Sequence, residues 1–288
     1  MAGWLLGGMM SGHRLISRME ARARPTMSVA MTSQRTLATS RILRKEDNTS
    51  VDELFINNER WREEVRGKDP TFFSNLAWGQ SPRYLWIGCS DSRVPPESIC
   101  GLPPGSLFVH RNIANLVNNV DTSAMSVIQY AVMYLKVQHI VICGHYNCGG
   151  VAAAMTQADH KSPLENWLRN IRDTYRLHAA ELDSIEDLEE RRKRLVEINT
   201  VEQAINLFKA QVIQQRRVET KANIDEFGFV QPRIHPCVYD PGTGQLRRLD
   251  VEMSDILHSL KHIYNLYKVE VDEEGEEWEG MGPSMVTP

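Results

Sequence analysis

Hydrophobic positions along the chain form two alternating kinds of segment. Tyr84-Leu-Trp-Ile-Gly-Cys89, Ser106-Leu-Phe-Val-His-Arg111 and His139-Ile-Val-Ile-Cys-Gly144 are short apolar runs bounded by polar turns, as buried strands are. Elsewhere apolar residues recur at helical spacing. Asp52-Glu-Leu-Phe-Ile followed by Trp61 and Val65 predicts an opening helix, and Phe72, Phe73 and Leu76 a second helical piece. Met125, Ile128, Val132 and Leu135 place one helical face over 121–135, and Val151–Met155 reads as a helix after the third strand. Residues 164–182 and 186–217 read as helices. The stripe Leu195, Ile198, Val201, Ile205, Phe208 and Val212 suits a core or a subunit interface. Ile234–Asp240 is a last strand, and the turn Asp240-Pro-Gly-Thr-Gly244 leads to Leu246–Val251. Strands alternating with helices predict an α/β fold: a mainly parallel central β-sheet flanked by helices, with an N-terminal helical arm. In such folds functional residues gather where strands end and helices begin.

Composition places this pattern in an ordinary globular protein of 288 residues, 42% hydrophobic, with a net charge of −4. The charge is unevenly spread. Residues 1–45 carry eight basic residues against the single acid Glu20, so the remainder is distinctly acidic. An acidic body argues against a nucleic-acid partner. Apolar runs such as Trp4–Met10 are too short to span a membrane. Residues 1–45, Arg-rich, acid-poor and Ser/Thr-bearing, read as a disordered basic leader resembling a mitochondrial transit peptide, with a chloroplast or cytoplasmic location as the alternative. Residues 51–269 are expected to form the folded domain. Residues 270–288, with seven acids and a Gly/Pro-rich end, are expected to be a flexible acidic tail.

The five cysteines are too few and too irregularly spaced for a disulfide framework. Two strand ends collect the chemistry, Cys89-Ser-Asp-Ser-Arg93 and His145-Tyr-Asn-Cys148-Gly-Gly. A catalytic zinc takes three thiolate, imidazole or carboxylate ligands and keeps one position open. Cys89, His145 and Cys148 form such a set once the α/β fold brings their strand ends to one edge of the sheet. The spacing alone is also compatible with buried thiols, which are common.

Cys89-Ser-Asp-Ser-Arg-Val, Phe108-Val-His-Arg-Asn-Ile-Ala-Asn115, Gly144-His-Tyr-Asn-Cys-Gly-Gly150 and Gln80-Ser-Pro-Arg-Tyr-Leu-Trp-Ile-Gly88 together resemble the β-class carbonic anhydrases. The resemblance implies reversible hydration of carbon dioxide to bicarbonate and a proton through a zinc-bound hydroxide. It implies one Zn2+ per chain on Cys89, His145 and Cys148. Asp91 would accept a hydrogen bond from the nucleophile, and Arg93 would keep Asp91 ionised and away from the metal. Gln80 and the Gly149 backbone N–H match the donors that hold substrate. Phe108, Ile113 and Tyr130 match the lining of the carbon dioxide pocket, which in the family forms between two subunits, so a homodimer or homotetramer is implied. Trp86, Arg111 and Tyr239 match a second, regulatory bicarbonate site found in some members. The alternative for these three is that Trp86 packs in the core and Arg111 holds a loop by pairing with a carboxylate.

Overall fold

The computed structural model describes residues 50–251, 253–260 and 262–264. The leader expected over 1–45 and the tail expected over 270–288 lie outside the described residues. The chain divides into two compact units at Pro70 and Thr71. In the first, the opening helix runs Asp52–Lys68, with acids in its first turn and bases in its last, which suits its dipole. None of its residues is buried, and Leu54, Phe55 and Ile56 are exposed.

The second unit is built on a five-stranded sheet: β1 (Tyr84–Cys89), β2 (Leu107–Asn112), β3 (His139–His145), β4 (Arg233–Asp240) and β5 (Gln245–Arg248). Their order in the sheet is β2-β1-β3-β4-β5. The first four strands run parallel, and β5 returns antiparallel along β4. β1, earliest in the chain, sits between β2 and β3. The crossovers from β1 and β3 therefore leave in opposite directions, and a crevice opens at their C-terminal ends.

Strand alternation decides what each face buries. Leu85 and Ile87 lie in register with Ile140 and Ile142, and Ile140 with Ile234. These side chains are fully buried against Ala204, Ile205, Leu207, Phe208 and Ile213 of the covering helices Leu188–Phe208 and Gln211–Ala222. Burying each is worth about 1.5–3 kcal/mol. The opposite face is thinner: Trp86, Cys143 and Cys237 are buried there with half-buried Val109, Val141, Tyr239 and Leu246. The long helix Leu188–Phe208 lies close over β3. A Cβ at Gly144 would collide with Thr200 Oγ1 and press on Val196, so glycine is required by this approach.

Three expected helices differ in detail. Over 121–135 the α-helix covers only Thr122–Gln129, capped by Asp121, whose carboxylate accepts from the N–H groups of Ser123 and Ala124. A widened π turn, Tyr130–Tyr134, follows, with Leu135 N–H donating to Tyr130 O at 3.1 Å. An apolar stripe this short fits either winding. The stretch 186–217 breaks at Ala210, which is extended (ψ 131°), because Gln214 Nε2 donates back to Phe208 O at 2.5 Å and closes the preceding helix. The stretch 164–182 breaks at His178 into Leu164–Leu177 and Ala179–Asp183. Among the described residues, no helix is long and apolar enough to cross a membrane.

Candidate active site

The crevice between β1 and β3 holds the chemistry. Cys89 ends β1 and His145 ends β3. Cys148 follows one turn later, immediately before the short helix Gly149–Ala154. All three are buried, and their ligand atoms lie within 4.8 Å of one another. Cys89 Sγ and Cys148 Sγ are 4.0 Å apart. Two sulfurs on a tetrahedral zinc, each at about 2.3 Å, stand about 3.8 Å apart. His145 Nδ1 is 3.0 Å from the Tyr146 carbonyl, so it carries the ring proton and leaves Nε2 as the lone-pair nitrogen. That Nε2 is buried and has no hydrogen-bond partner. An orphaned lone pair beside two sulfurs is costly in a protein interior unless an ion takes all three, so these residues fit zinc. Their mutual hydrogen bond draws the Cys89 thiol down and pushes the Cys148 thiol up. A metal ion takes the place of thiol protons.

Asp91 stands at the rim, its Oδ2 3.9 Å from His145 Nε2. Arg93 clamps it with three donations: backbone N–H and Nε to Oδ1, each at 2.9 Å, and a terminal nitrogen to Oδ2 at 2.7 Å. This hydrogen bonding holds the Asp91 carboxyl well below the usual carboxylate range. Arg93 also donates to Asn147 O at 3.0 Å, tying the two ligand loops together.

Arg111 does hold a loop, but not by pairing with a carboxylate. Its Nε donates to Cys89 O at 2.8 Å and a terminal nitrogen to Asp91 O at 2.5 Å. Trp86 is buried and its indole N–H has no hydrogen-bond partner, with half-buried Tyr239 in the same cluster.

Sequence reasoning missed the strap behind the metal ligands. After β2 the backbone turns left-handed at Ala114 (φ 63°) and Asn115 (φ 50°), which presents Ala114 N–H to Cys89 Sγ at 3.4 Å. Asn112, Asn199, Gln203 and Trp167 each hydrogen-bond to backbone within Ile113–Val117. Asn112 belongs to β2 itself, while Trp167 comes from the helix Leu164–Leu177 and Asn199 and Gln203 from the helix Leu188–Phe208, distant segments that no local pattern links to the strap. Ile113 lies against the site: a Cβ on Gly150 would meet its Cγ2 at 2.7 Å.

Phe108 and Tyr130 pack together at 5.7 Å but away from the metal ligands of their own chain. Register pairs Phe108 with Leu85 and Asn112 with Cys89. Phe108 is thus four residues back along the strand, about 13 Å at 3.3 Å per residue. Gln80 is exposed in the loop before β1. Cys100, Cys143 and Cys237 stay outside the ligand group, and burial pushes the Cys237 thiol up to about 12.

Comparison with known proteins agrees with this geometry. A family model described as carbonic anhydrase matches residues 84–246. A carbonic anhydrase of Emericella nidulans is 52% identical over 217 residues, covering 75% of this chain and 91% of that protein. Beta carbonic anhydrase 6, mitochondrial, of Arabidopsis thaliana is 41% identical over 138 residues, 44% of this chain and 48% of that one. A crystal structure from a study of two tetrameric beta-carbonic anhydrases from Sordaria macrospora superposes with a TM-score of 0.64 at 38% identity, covering 71% of this chain and 98% of that one. The chain belongs to the β-class carbonic anhydrases. It is a zinc lyase whose reaction is the reversible hydration of carbon dioxide to bicarbonate and a proton.

Proposed function

We propose that Cys89, His145 and Cys148 hold the zinc with which this chain hydrates carbon dioxide, and that Asp91 and Arg93 orient the attack. The observation that carries the assignment is the buried, partnerless Nε2 of His145 facing two sulfurs beside the Asp91–Arg93 clamp. Zinc supplies a water acidified to a pKa near 7, a nucleophile at neutral pH. Asp91 supplies direction. Both Asp91 oxygens accept from Arg93, and Oδ2 accepts only once from it, so a lone pair remains on the side of His145 to take the nucleophile's proton as a hydrogen bond. Arg93 keeps that carboxylate charged and stops it from turning onto the metal. Ile113 walls the site, and Gly149 N–H, at the start of the short helix, donates to a developing bicarbonate oxygen.

Gln80, Phe108 and Tyr130 serve the site of a second copy. Tyr130 and Tyr134 stack at 5.4 Å, and Tyr130, Tyr134 and Met133 present exposed apolar surface next to Phe108. The tetrameric assembly of the Sordaria proteins supports an oligomer here, as a homodimer or homotetramer.

Stopped-flow hydration tests the assignment. The purified chain should hydrate carbon dioxide rapidly, lose the activity with its zinc under a chelator, and regain it when zinc is returned. Activity that persists in metal-free protein overturns the reading.

The leader carries the location. Residues 1–45 direct the protein to mitochondria and are removable without loss of activity, a reading supported by their basic composition and by the mitochondrial plant relative. A reporter fused behind residues 1–45 should enter mitochondria; a chloroplast or cytosolic reporter refutes the address.

A further inference from the structure

We propose that Tyr146, Glu197 and Arg247 are positioning residues of the metal site, a phenol–carboxylate–guanidinium cluster that holds the turn 145–148 so that His145 and Cys148 face one ion. The inference rests on the zinc-ligand reading above and adds residues that touch neither metal nor substrate.

Tyr146 lies between two ligands in the chain, and its backbone controls one of them. Its carbonyl accepts from His145 Nδ1 at 3.0 Å, so where that carbonyl points decides both the tautomer and the heading of the ring. One side of Tyr146 is tied to the sheet, where its N–H donates to Tyr239 O on β4 at 3.0 Å. The other tie is the side chain. Tyr146 Oη donates to Glu197 Oε1 at 2.7 Å, and a terminal nitrogen of Arg247 donates to Tyr146 Oη at 2.5 Å and to the same Glu197 oxygen. Arg194 occupies the second Glu197 oxygen at 3.0 Å.

These groups come from three elements: the turn after β3, the helix Leu188–Phe208 and β5. Burial works against the charge on Glu197, but hydrogen bonds from Tyr146 and Arg194 and the Arg247 charge prevail and keep its carboxyl below the ordinary range. The far end of the turn has its own anchor, since the left-handed Asn147 (φ 56°) gives its carbonyl to Arg93. The turn is therefore fixed at Asn147 by the Asp91 clamp and at Tyr146 by this cluster. Removing the tie at Tyr146 Oη frees the carbonyl, and with it the imidazole, to swing while the ring keeps its packing against the buried cluster around Cys89 and Cys148. Arg247 and Arg194 are each nearly half exposed, so their ion pairs add little to global stability while acting directly on ligand geometry.

Zinc release from the full-length holoprotein into excess chelator tests this, with the melting temperature of the apoprotein measured in parallel. Tyr146→Phe removes one hydroxyl and should speed release or weaken zinc binding by about 10–100-fold. Glu197→Gln should act in the same direction, and the double variant should show less than the product of the two effects. Glu181→Gln, which breaks the 2.5 Å Arg194–Glu181 pair on the other side of Arg194, should leave zinc release unchanged. If Tyr146→Phe fails to fold, Arg247→Ala carries the test, removing the single nitrogen that donates to both Tyr146 Oη and Glu197 Oε1. Wild-type release rates in Tyr146→Phe and Glu197→Gln overturn the proposal, as does a loss of zinc that only follows apoprotein melting and is matched by Glu181→Gln. Failure of the ligand reading itself looks different: the unmutated chain would then hold no zinc.

Discussion

Cys148→Ala should abolish zinc binding and activity together. The substitution leaves one thiolate and one imidazole, too few to hold zinc against solvent. Without the metal, the water at the site returns from a pKa near 7 to about 16, so hydration at neutral pH should fall at least ~10³-fold. The side chain is small and lies in a turn, so the fold should survive. Cys237→Ala is the matched control. Cys237 is also buried, but its thiol is held protonated by burial and stands outside the ligand group, so that variant should keep its zinc. Metal analysis and stopped-flow hydration on both proteins decide the matter. A Cys148→Ala protein with about one zinc per chain would sink the ligand assignment.

Two inactive chains should restore each other. Cys148→Ala lacks zinc but supplies intact Gln80, Phe108 and Tyr130; Gln80→Ala keeps zinc but lacks the amide donor. Alone, Gln80→Ala should lose roughly 10²-fold in hydration per zinc, as when one donor to a developing anion is deleted. In the two-fold symmetric pair proposed above, each subunit would complete the other's site. The zinc of the Gln80→Ala chain then meets the intact Gln80 of its Cys148→Ala partner. Co-expression with two different tags and purification through both should raise activity per zinc by more than tenfold over Gln80→Ala alone. Mixed oligomers no more active per zinc than Gln80→Ala would show that Gln80 serves the site of its own chain.

The sheet, and the meeting of Cys89, His145 and Cys148 at one edge of it, were legible in the sequence because strand and polar strand end are locally encoded. Apolar runs such as Tyr84–Cys89 have no other use than a buried strand, and polar clusters at Cys89 and His145 mark where those runs stop. β1 has the expected bounds, and the other strands differ from theirs by at most a few residues. The helix interruptions were not legible: the stripe through Ile205 and Phe208 runs on into Val212, while the extended backbone of Ala210 and the contact of Gln214 with Phe208 O turn the chain there. The π turn at Tyr130 was hidden for the same reason. Contacts that depend on distant residues left no trace at all. Asn199 meets Ala114 across 85 residues and Arg247 meets Tyr146 across 101, so neither side chain has a local pattern to give it away. For Arg111 the sequence left two readings, a regulatory anion ligand or a loop anchor paired with a carboxylate; the partners found are backbone carbonyls, which carry no sequence signal.

The position of β1 between β2 and β3 has a kinetic consequence. Cys89 and Cys148 are 59 residues apart in the chain and meet only when β1 and β3 lie side by side, with β2 and the following helix already looped away. Parallel pairing of this kind demands closure of a long loop before any contact rewards it, so it forms slowly. A nascent chain consequently has no high-affinity place for the metal until its central strands have joined. Once there, the ion acts as a removable cross-link between chain segments that entropy would otherwise pull apart. Metal supply thus acts late, on a nearly completed sheet, rather than on the start of folding.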